Sequence, residues 1–333
     1  MRIAVDAFGG DNAPLEIIKG AALAEKEYGV HILLCGDKDT IEKCINDNGI
    51  EFNELDIVHA SDVISMHDEP TSLLKAHKDS SMAVAFRELA NGNADAFVSA
   101  GSTGAVVVGG TFIVKRIKGI RRPALATIIP SPDSRYMLLD CGANAECRPE
   151  MLCQFGVMAS RYLEKVEGMD KPTVGLLNIG TEDTKGTELQ KEAHALMSKA
   201  DINFIGNIES RDMPQGICDI VVADGFTGNI SLKLLEGTIA TLFTMLKPVF
   251  TKNFLTKLCY LILKPGLRKM KSKMNASEVG GAPLLGTKKP VFKAHGNSDA
   301  ETFKNAIGKA KLFAENNVIS AIENCFSEEV IEN

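Results

Sequence analysis

Short apolar runs alternate with helical patterns almost from one end of this chain to the other, and that rhythm limits the folds open to it more than any single motif does. The runs fall at 3–6, 31–35, 55–59, 96–99, 124–129, 137–140, 174–178, 203–206 and 220–223, bounded by Asp, Gly, Ser or Asn. Runs this short, with little polar alternation, read as strands buried on both faces of a parallel sheet. Helical patterns separate them at about 14–28, 38–48, 72–90, 103–116, 149–165, 186–199 and 229–246, and a last one spans about 299–324. The alternation predicts a three-layer α/β fold on a mostly parallel sheet, in which ligands collect at the carboxyl ends of strands. A chain of 333 residues with 45% hydrophobic content is able to bury roughly three quarters of its unfolded surface. No linker or internal repeat divides it, so residues 1–333 are expected to form one unit.

Several chemistries are disfavoured at once. The opening residues MRIAVDA read as a strand and lack the long apolar stretch of a signal peptide, so no export is expected. Eight cysteines include no C-x-x-C pair, which favours reduced packing thiols over a disulfide framework. The six histidines form no H-E-x-x-H and do not cluster with cysteines or acids, so no metal is expected. A G-x-S-x-G elbow is missing, against a serine hydrolase. The DAFGGDNAP turn at 6–14 lacks the G-x-G-x-x-G spacing, so neither a dinucleotide nor any other cofactor is expected. With a net charge of −6, no nucleic-acid partner is expected either.

The strand exits carry the functional signal. In DGFTGN at 224–229 an apolar strand ends in a glycine-rich turn that leads into a helix. Gly225 and Gly228 are expected to permit positive φ and close approach to a ligand, while Thr227, Asn229 and free N–H groups of the helix supply donors. A second exit at 174–192 places Gly180 and Gly186 around Asp183, Lys185 and Thr187 before another helix. Two such turns are suited to converging on one anionic or carbonyl substrate. The turn at 6–14 offers Asp6, Gly9, Gly10, Asp11 and Asn12 to a cleft, with helix capping as the competing role of Asp11 and Asn12. In SAGSTGA at 99–105, Ser102 and Thr103 either contact substrate or cap the next helix. His295, in KAHGNSD at 293–299, either borders the site or fixes its turn.

These turns resemble those of the bacterial acyltransferases that move a fatty acyl group from acyl-carrier protein to phosphate. The resemblance spans nearly the whole chain: MRIAVDAFGGDNAP at 1–14, DEPTSLLKAHKDSSM at 68–82, SAGSTGA, RPALA at 122–126, LLDCGANAECRPE at 138–150, the two turns, GGAPLLG at 280–286 and KAHGNSD. The chain departs from the usual pattern at Phe8, where methionine is common, and at Ser102, where asparagine is common. The resemblance implies an isocitrate dehydrogenase/phosphotransacetylase-like architecture with a helical projection, and a homodimer. It also implies that the enzyme forms acyl phosphate for phospholipid synthesis, with Asn144 of the 138–150 motif near the substrate.

Attack of phosphate on a thioester needs a site for a dianion, a donor for the developing oxyanion and positive charge. It needs no metal and no covalent enzyme intermediate. The resemblance assigns catalysis to Lys185, which would steady phosphate or the oxyanion, and to Asn229, which would hydrogen-bond the carbonyl oxygen. Asp183 and Asp224 are expected either to orient the lysine or to cap helices. An acyl-coenzyme A donor is the nearest alternative chemistry. A non-catalytic acyl-carrier or lipid-binding module is the alternative of another class.

One further segment has a different character. Residues 237–277 contain no acid but eight Lys or Arg, with Phe250, Phe254, Leu258, Leu261 and Ile262 at helical spacing and Pro265 expected to end the helix. Its longest apolar run, 258–263, is far below the roughly 20 residues that a spanning helix needs. Phe254, Leu258, Leu261, Ile262 and Lys264 are therefore expected to rest on an anionic membrane surface. The expected location is the cytoplasm, at the inner face of the cell membrane.

Overall fold

The computed structural model describes residues 1–273 and 280–326. Among them eleven strands form one sheet in the order β3-β2-β1-β4-β11-β10-β5-β6-β9-β7-β8. They are β1 (Arg2–Asp6), β2 (His31–Gly36), β3 (Leu55–His59), β4 (Ala96–Ser99), β5 (Ala124–Pro130), β6 (Arg135–Leu139), β7 (Thr173–Asn178), β8 (Asn203–Glu209), β9 (Ile220–Val222), β10 (Ala282–Leu285) and β11 (Val291–Lys293). The helices are α1 (Leu15–Tyr28), α2 (Lys38–Asn48), α3 (Ser81–Ala90), α4 (Thr103–Gly109), α5 (Pro149–Val166), α6 (Glu188–Met197), α7 (Gly225–Thr251), α8 (Phe254–Lys273), α9 (Ala300–Glu315) and α10 (Val318–Phe326).

The three layers follow from the two-residue period of the strands. In β1, Ile3 and Val5 enter a core beneath α1, α5, α9 and α10, whereas Ala4 enters the core beneath α3 and α4. Both faces of the central strands are thus covered, which is why they read as apolar runs without alternation. A smaller core joins Leu138, Val221 and Ile208 to Leu232 and Leu235 of α7.

The sheet is parallel in two halves, β3-β2-β1-β4-β11 and β6-β9-β7-β8, which β10 and β5 connect by antiparallel pairing. The three antiparallel pairings reverse the second half relative to the first, so the strand direction changes at the centre of the sheet. The short connection between β5 and β6, in which Ser131 N–H donates to Ser134 O at 3.0 Å, permits only an antiparallel pair.

Several boundaries differ from those expected. β10 and β11 were not legible as strands, because they have four and three residues and border Gly280, Gly281 and Gly286. The pattern at 72–90 divides into a 3₁₀ turn, Pro70–Leu74, and α3, which Ser80 caps by accepting from Ala83 N. The pattern at 103–116 passes from α4 into a wider helical turn, Gly110–Val114, where added Cβ atoms on Gly109 and Gly110 would collide with Phe86 and Leu284. The last helix breaks at Asn317, whose φ is +54°. In the basic segment, Pro265 lies inside α8 and does not end it. An interior proline removes one N–H donor and crowds the carbonyl of the preceding turn, which bends a helix without always ending it. Residues 274–277 of that segment lie outside the described residues.

Candidate active site

Three loops from the first half of the sheet interlock at the central reversal. The loop after β1 is tied to the loop after β11: Asp11 N–H donates to Gly296 O at 2.7 Å, and Asn12 Nδ2 donates to the carbonyls of Asn297 and Ser298 at 3.0 and 3.2 Å. Gly10 has φ +103°, and a Cβ there would stand 2.9 Å from both Ala100 Cβ and Gly296 O. Asp6 lies behind this knot. Its carboxylate accepts from Ser81 Oγ at 2.6 Å and Ser99 Oγ at 2.7 Å, and a Cβ on Gly9 would come within 2.4 Å of it. Burial raises the Asp6 pKa, while the two hydroxyls, the Phe8 N–H and the charge of Lys293 oppose the rise. Asp6 and Gly9 therefore build the site from beneath.

The second half contributes the loop after β6 and the start of α7. Asp140 accepts from the N–H groups of Leu125, Ala143 and Asn144 at 3.0, 3.0 and 2.7 Å. The Asn144 amide donates to Asp140 and to Pro123 O, both at 2.8 Å. Asn144 is thereby engaged in holding this loop, and its carbonyl receives Gly225 N–H at 2.8 Å. Gly225 and Gly228 do not need positive φ, contrary to expectation: both lie within α7. They are required for close approach, since a Cβ on Gly225 would meet Asn144 O at 2.5 Å and one on Gly228 would meet Asp140 O at 2.0 Å. The cap of α7 is Asp224, which accepts from Thr227 N–H at 2.8 Å and Thr227 Oγ1 at 2.7 Å. Asn229 consequently lies one turn inside the helix, and its side chain packs over Gly142.

The first turns of α7 divide two cavities. Asn229, Leu232, Lys233 and Glu236 face a cleft of about 470 Å³ at the reversal, across from Asp11, Thr103, Lys293 and His295. Thr227, Ile230, Ser231 and Leu234 face a second cavity of about 820 Å³ with Gly186 and Thr187. Positions 227 and 229 stand roughly 200° apart around a helix, which accounts for the division. The two glycine turns thus meet at the second cavity, whereas only Asn229 of the two expected catalytic residues borders the cleft.

Lys185 stands on the exposed loop between β7 and α6, with a side chain 48% exposed and Nζ 3.9 Å from Glu182. Gly180 is packed beneath this lysine, Asp183 is exposed in the same loop, and Thr187 caps α6 in a reciprocal arrangement with Gln190. Ser102 caps α4 by accepting from Ala105 N–H, while Thr103 borders the cleft. The His295 carbonyl accepts from Ser298 N–H at 3.1 Å and Ser298 Oγ at 2.7 Å, so the backbone of His295 fixes its turn while the residue lines the cleft. Sequence reasoning passed over Lys293, Asp140, Gly142, Ser81 and Ser99. Each lies in a quoted motif, but their roles depend on which loops meet.

What the cleft is able to do follows from its groups. Asn229 offers an amide donor, Lys293 a cation and Thr103 a hydroxyl. Cys141 also borders it, but burial pushes this thiol up to about 12, so the reactive thiolate is not populated at neutral pH. The arrangement suits stabilising an anion and a developing oxyanion more than nucleophilic attack by the protein.

The fold of the chain is similar to that of phosphotransacetylases. It is similar to one from Streptococcus pyogenes, with a TM-score of 0.63, 18% identity and coverage of 97% of this chain and 94% of that one. A branched-chain phosphotransacylase from Enterococcus faecalis gives a TM-score of 0.59 at 18% identity, covering 94% of this chain and 99% of that one. More specifically, residues 1–321 match the fatty acid synthesis protein family, and the chain belongs to that family. It is 45% identical over 322 residues to a phosphate acyltransferase of Alkaliphilus oremlandii, covering 97% of this chain and 96% of the relative. To a phosphate acyltransferase of Bacillus cereus it is 45% identical over 334 residues, covering both chains in full. The chain is accordingly an acyltransferase.

Proposed function

We propose that this acyltransferase moves a fatty acyl group from an acyl-carrier-protein thioester to inorganic phosphate, giving acyl phosphate for phospholipid synthesis and free carrier. The supporting observation is the cleft, where an amide donor faces a buried cation beside a thiol that burial keeps protonated. In this reading a phosphate oxygen attacks the thioester carbonyl, and Asn229 donates to the oxygen as negative charge builds. The C–S bond then breaks, and the departing thiolate takes a proton from solvent. Lys185 adds charge to phosphate or the oxyanion. Because it stands across α7 from Asn229, this role requires the loop between β7 and α6 to close toward substrate.

The reading extends to assembly and location. A second copy of the chain covers the exposed apolar residues of α7, among them Leu234 and Met245, in a homodimer. The stripe of α8 rests on the inner face of an anionic membrane, supported by the exposure of Phe254 (79%) and Ile262 (74%) beside lysines such as Lys264. No helix among the described residues is long and apolar enough to cross a membrane.

The donor is tested by supplying acyl-carrier protein and acyl-coenzyme A side by side, with phosphate, and measuring free thiol. Preference for the carrier is expected. Equal or better use of acyl-coenzyme A would overturn the donor assignment, and no phosphate-dependent thiol from either donor would leave a binding module.

A further inference from the structure

Lys293 ends β11 at the cleft with only 7% of its surface exposed. Its Nζ donates to Ala100 O at 3.2 Å and to the Ala294 carbonyl, which uses two of the three N–H donors of an ammonium. No third acceptor is found for it among the described residues, and Lys293 lines the cleft. Asp6 and Asp11 act on Lys293 through space, but the Asp6 carboxylate is already committed to Ser81 and Ser99. Among the described residues no carboxylate forms an ion pair with Lys293; burying an ammonium among carbonyls without a close counter-ion is costly, and an apolar residue would fill the same space at lower cost. A bound anion would supply the missing charge.

The cleft also has two sides. Lys293, Thr103 and His295 come from the first half of the sheet, whereas Asn229 and Gly142 come from the second. Lys233 and Glu236 also border the second side, but both are exposed, and Asp11 borders the first; the buried cation and its neighbouring hydroxyl suit a phosphate, and the amide suits a thioester carbonyl. We propose that Lys293 is the residue that holds the attacking phosphate, on the wall of the cleft opposite the amide that receives the thioester oxygen. The proposal rests on the phosphate acyltransferase reading and adds to it a residue that neither glycine turn contains. Burial lowers the Lys293 pKa to about 8, against the pull of Asp6 and Asp11, so the ammonium is mainly charged at neutral pH and is able to gain from a nearby dianion.

The test compares wild type with Lys293→Met, which keeps the length of the side chain without its charge. Loss of one charge-assisted bond predicts a phosphate KM raised roughly 10- to 100-fold, with the thioester KM nearly unchanged. A merely structural lysine would lower the folded fraction or kcat and leave the ratio of the two KM values unaltered. An unaltered ratio in a folded variant overturns the proposal. Should the variant fail to fold, wild type decides: inorganic phosphate is expected to slow carbamylation of Lys293 by cyanate, mapped by peptide mass, without slowing that of exposed Lys38. Equal rates at Lys293 with and without phosphate overturn it. Wild type that protects Lys293 with phosphate but shows no phosphate-dependent turnover would refute the acyl-transfer reading while upholding the anion site.

Discussion

Asn229→Asp separates catalysis from folding more cleanly than any other change in this protein. The cap of α7 is Asp224, so Asn229 has no N–H of the first turn to satisfy. An acid near the N-terminal end of a helix contributes about 0.3–1 kcal/mol of stability, and the new side chain has the same size over Gly142. The melting temperature should therefore stay level or rise slightly. Turnover should behave in the opposite way. Removing one oxyanion donor costs about 2.7–4 kcal/mol in the transition state, a factor of roughly 10² to 10³ in kcat. A carboxylate adds repulsion where the oxyanion develops, so the loss should reach at least that range and fall on kcat more than on the phosphate KM. Release of free carrier thiol under saturating phosphate, with a thermal melt on the same preparation, measures both. Near-wild-type turnover in the folded variant would refute the oxyanion role.

Lys185→Ala is expected to reduce turnover by orders of magnitude while the melting temperature shifts by a few degrees at most, because an exposed loop lysine contributes little to stability; unchanged turnover would remove it from the mechanism. Gly228→Ala forces a Cβ to within 2.0 Å of Asp140 O, so it should destabilise the fold by about 1–3 kcal/mol, visible as a lowered thermal or denaturant midpoint; an unchanged midpoint would refute the close-approach explanation. Leu258→Asp with Ile262→Asp is expected to abolish sedimentation with anionic liposomes while sparing turnover of soluble acyl carrier, and high salt should weaken wild-type binding. Unfolding or loss of the dimer in that double variant would instead mean that the stripe is packed inside the assembly.

The alternation of elements was legible because nine of the strands carry short apolar runs, which the central ones owe to burial on both faces and the edge strands β3 and β8 show although they are only partly buried. β10 and β11 were not, since two short strands among glycines carry too little pattern. The same gap hid Lys293. Its motif stood out, but without β11 beside β4 nothing indicated that its ammonium reaches Ala100 and the cleft. Of the two reasons the glycines of the 224–229 turn were singled out, positive φ does not hold, and the close approach they permit to Asp140 and Asn144, residues some 80 positions earlier in the chain, was not legible. The division between Asn229 and Lys185 was hidden likewise, because sequence shows that two turns resemble each other but not which face of a helix each one meets.

The most direct measurement follows the product itself. Purified acyl-carrier protein bearing a fatty acyl thioester is incubated with the enzyme, with and without inorganic phosphate, and the products are quenched with hydroxylamine. Acyl transfer to phosphate predicts acyl hydroxamate and free carrier thiol in equal amounts, both strictly dependent on phosphate. Free carrier released at the same rate without phosphate, with fatty acid in place of hydroxamate, would mean hydrolysis and would contradict the phosphate acyltransferase function.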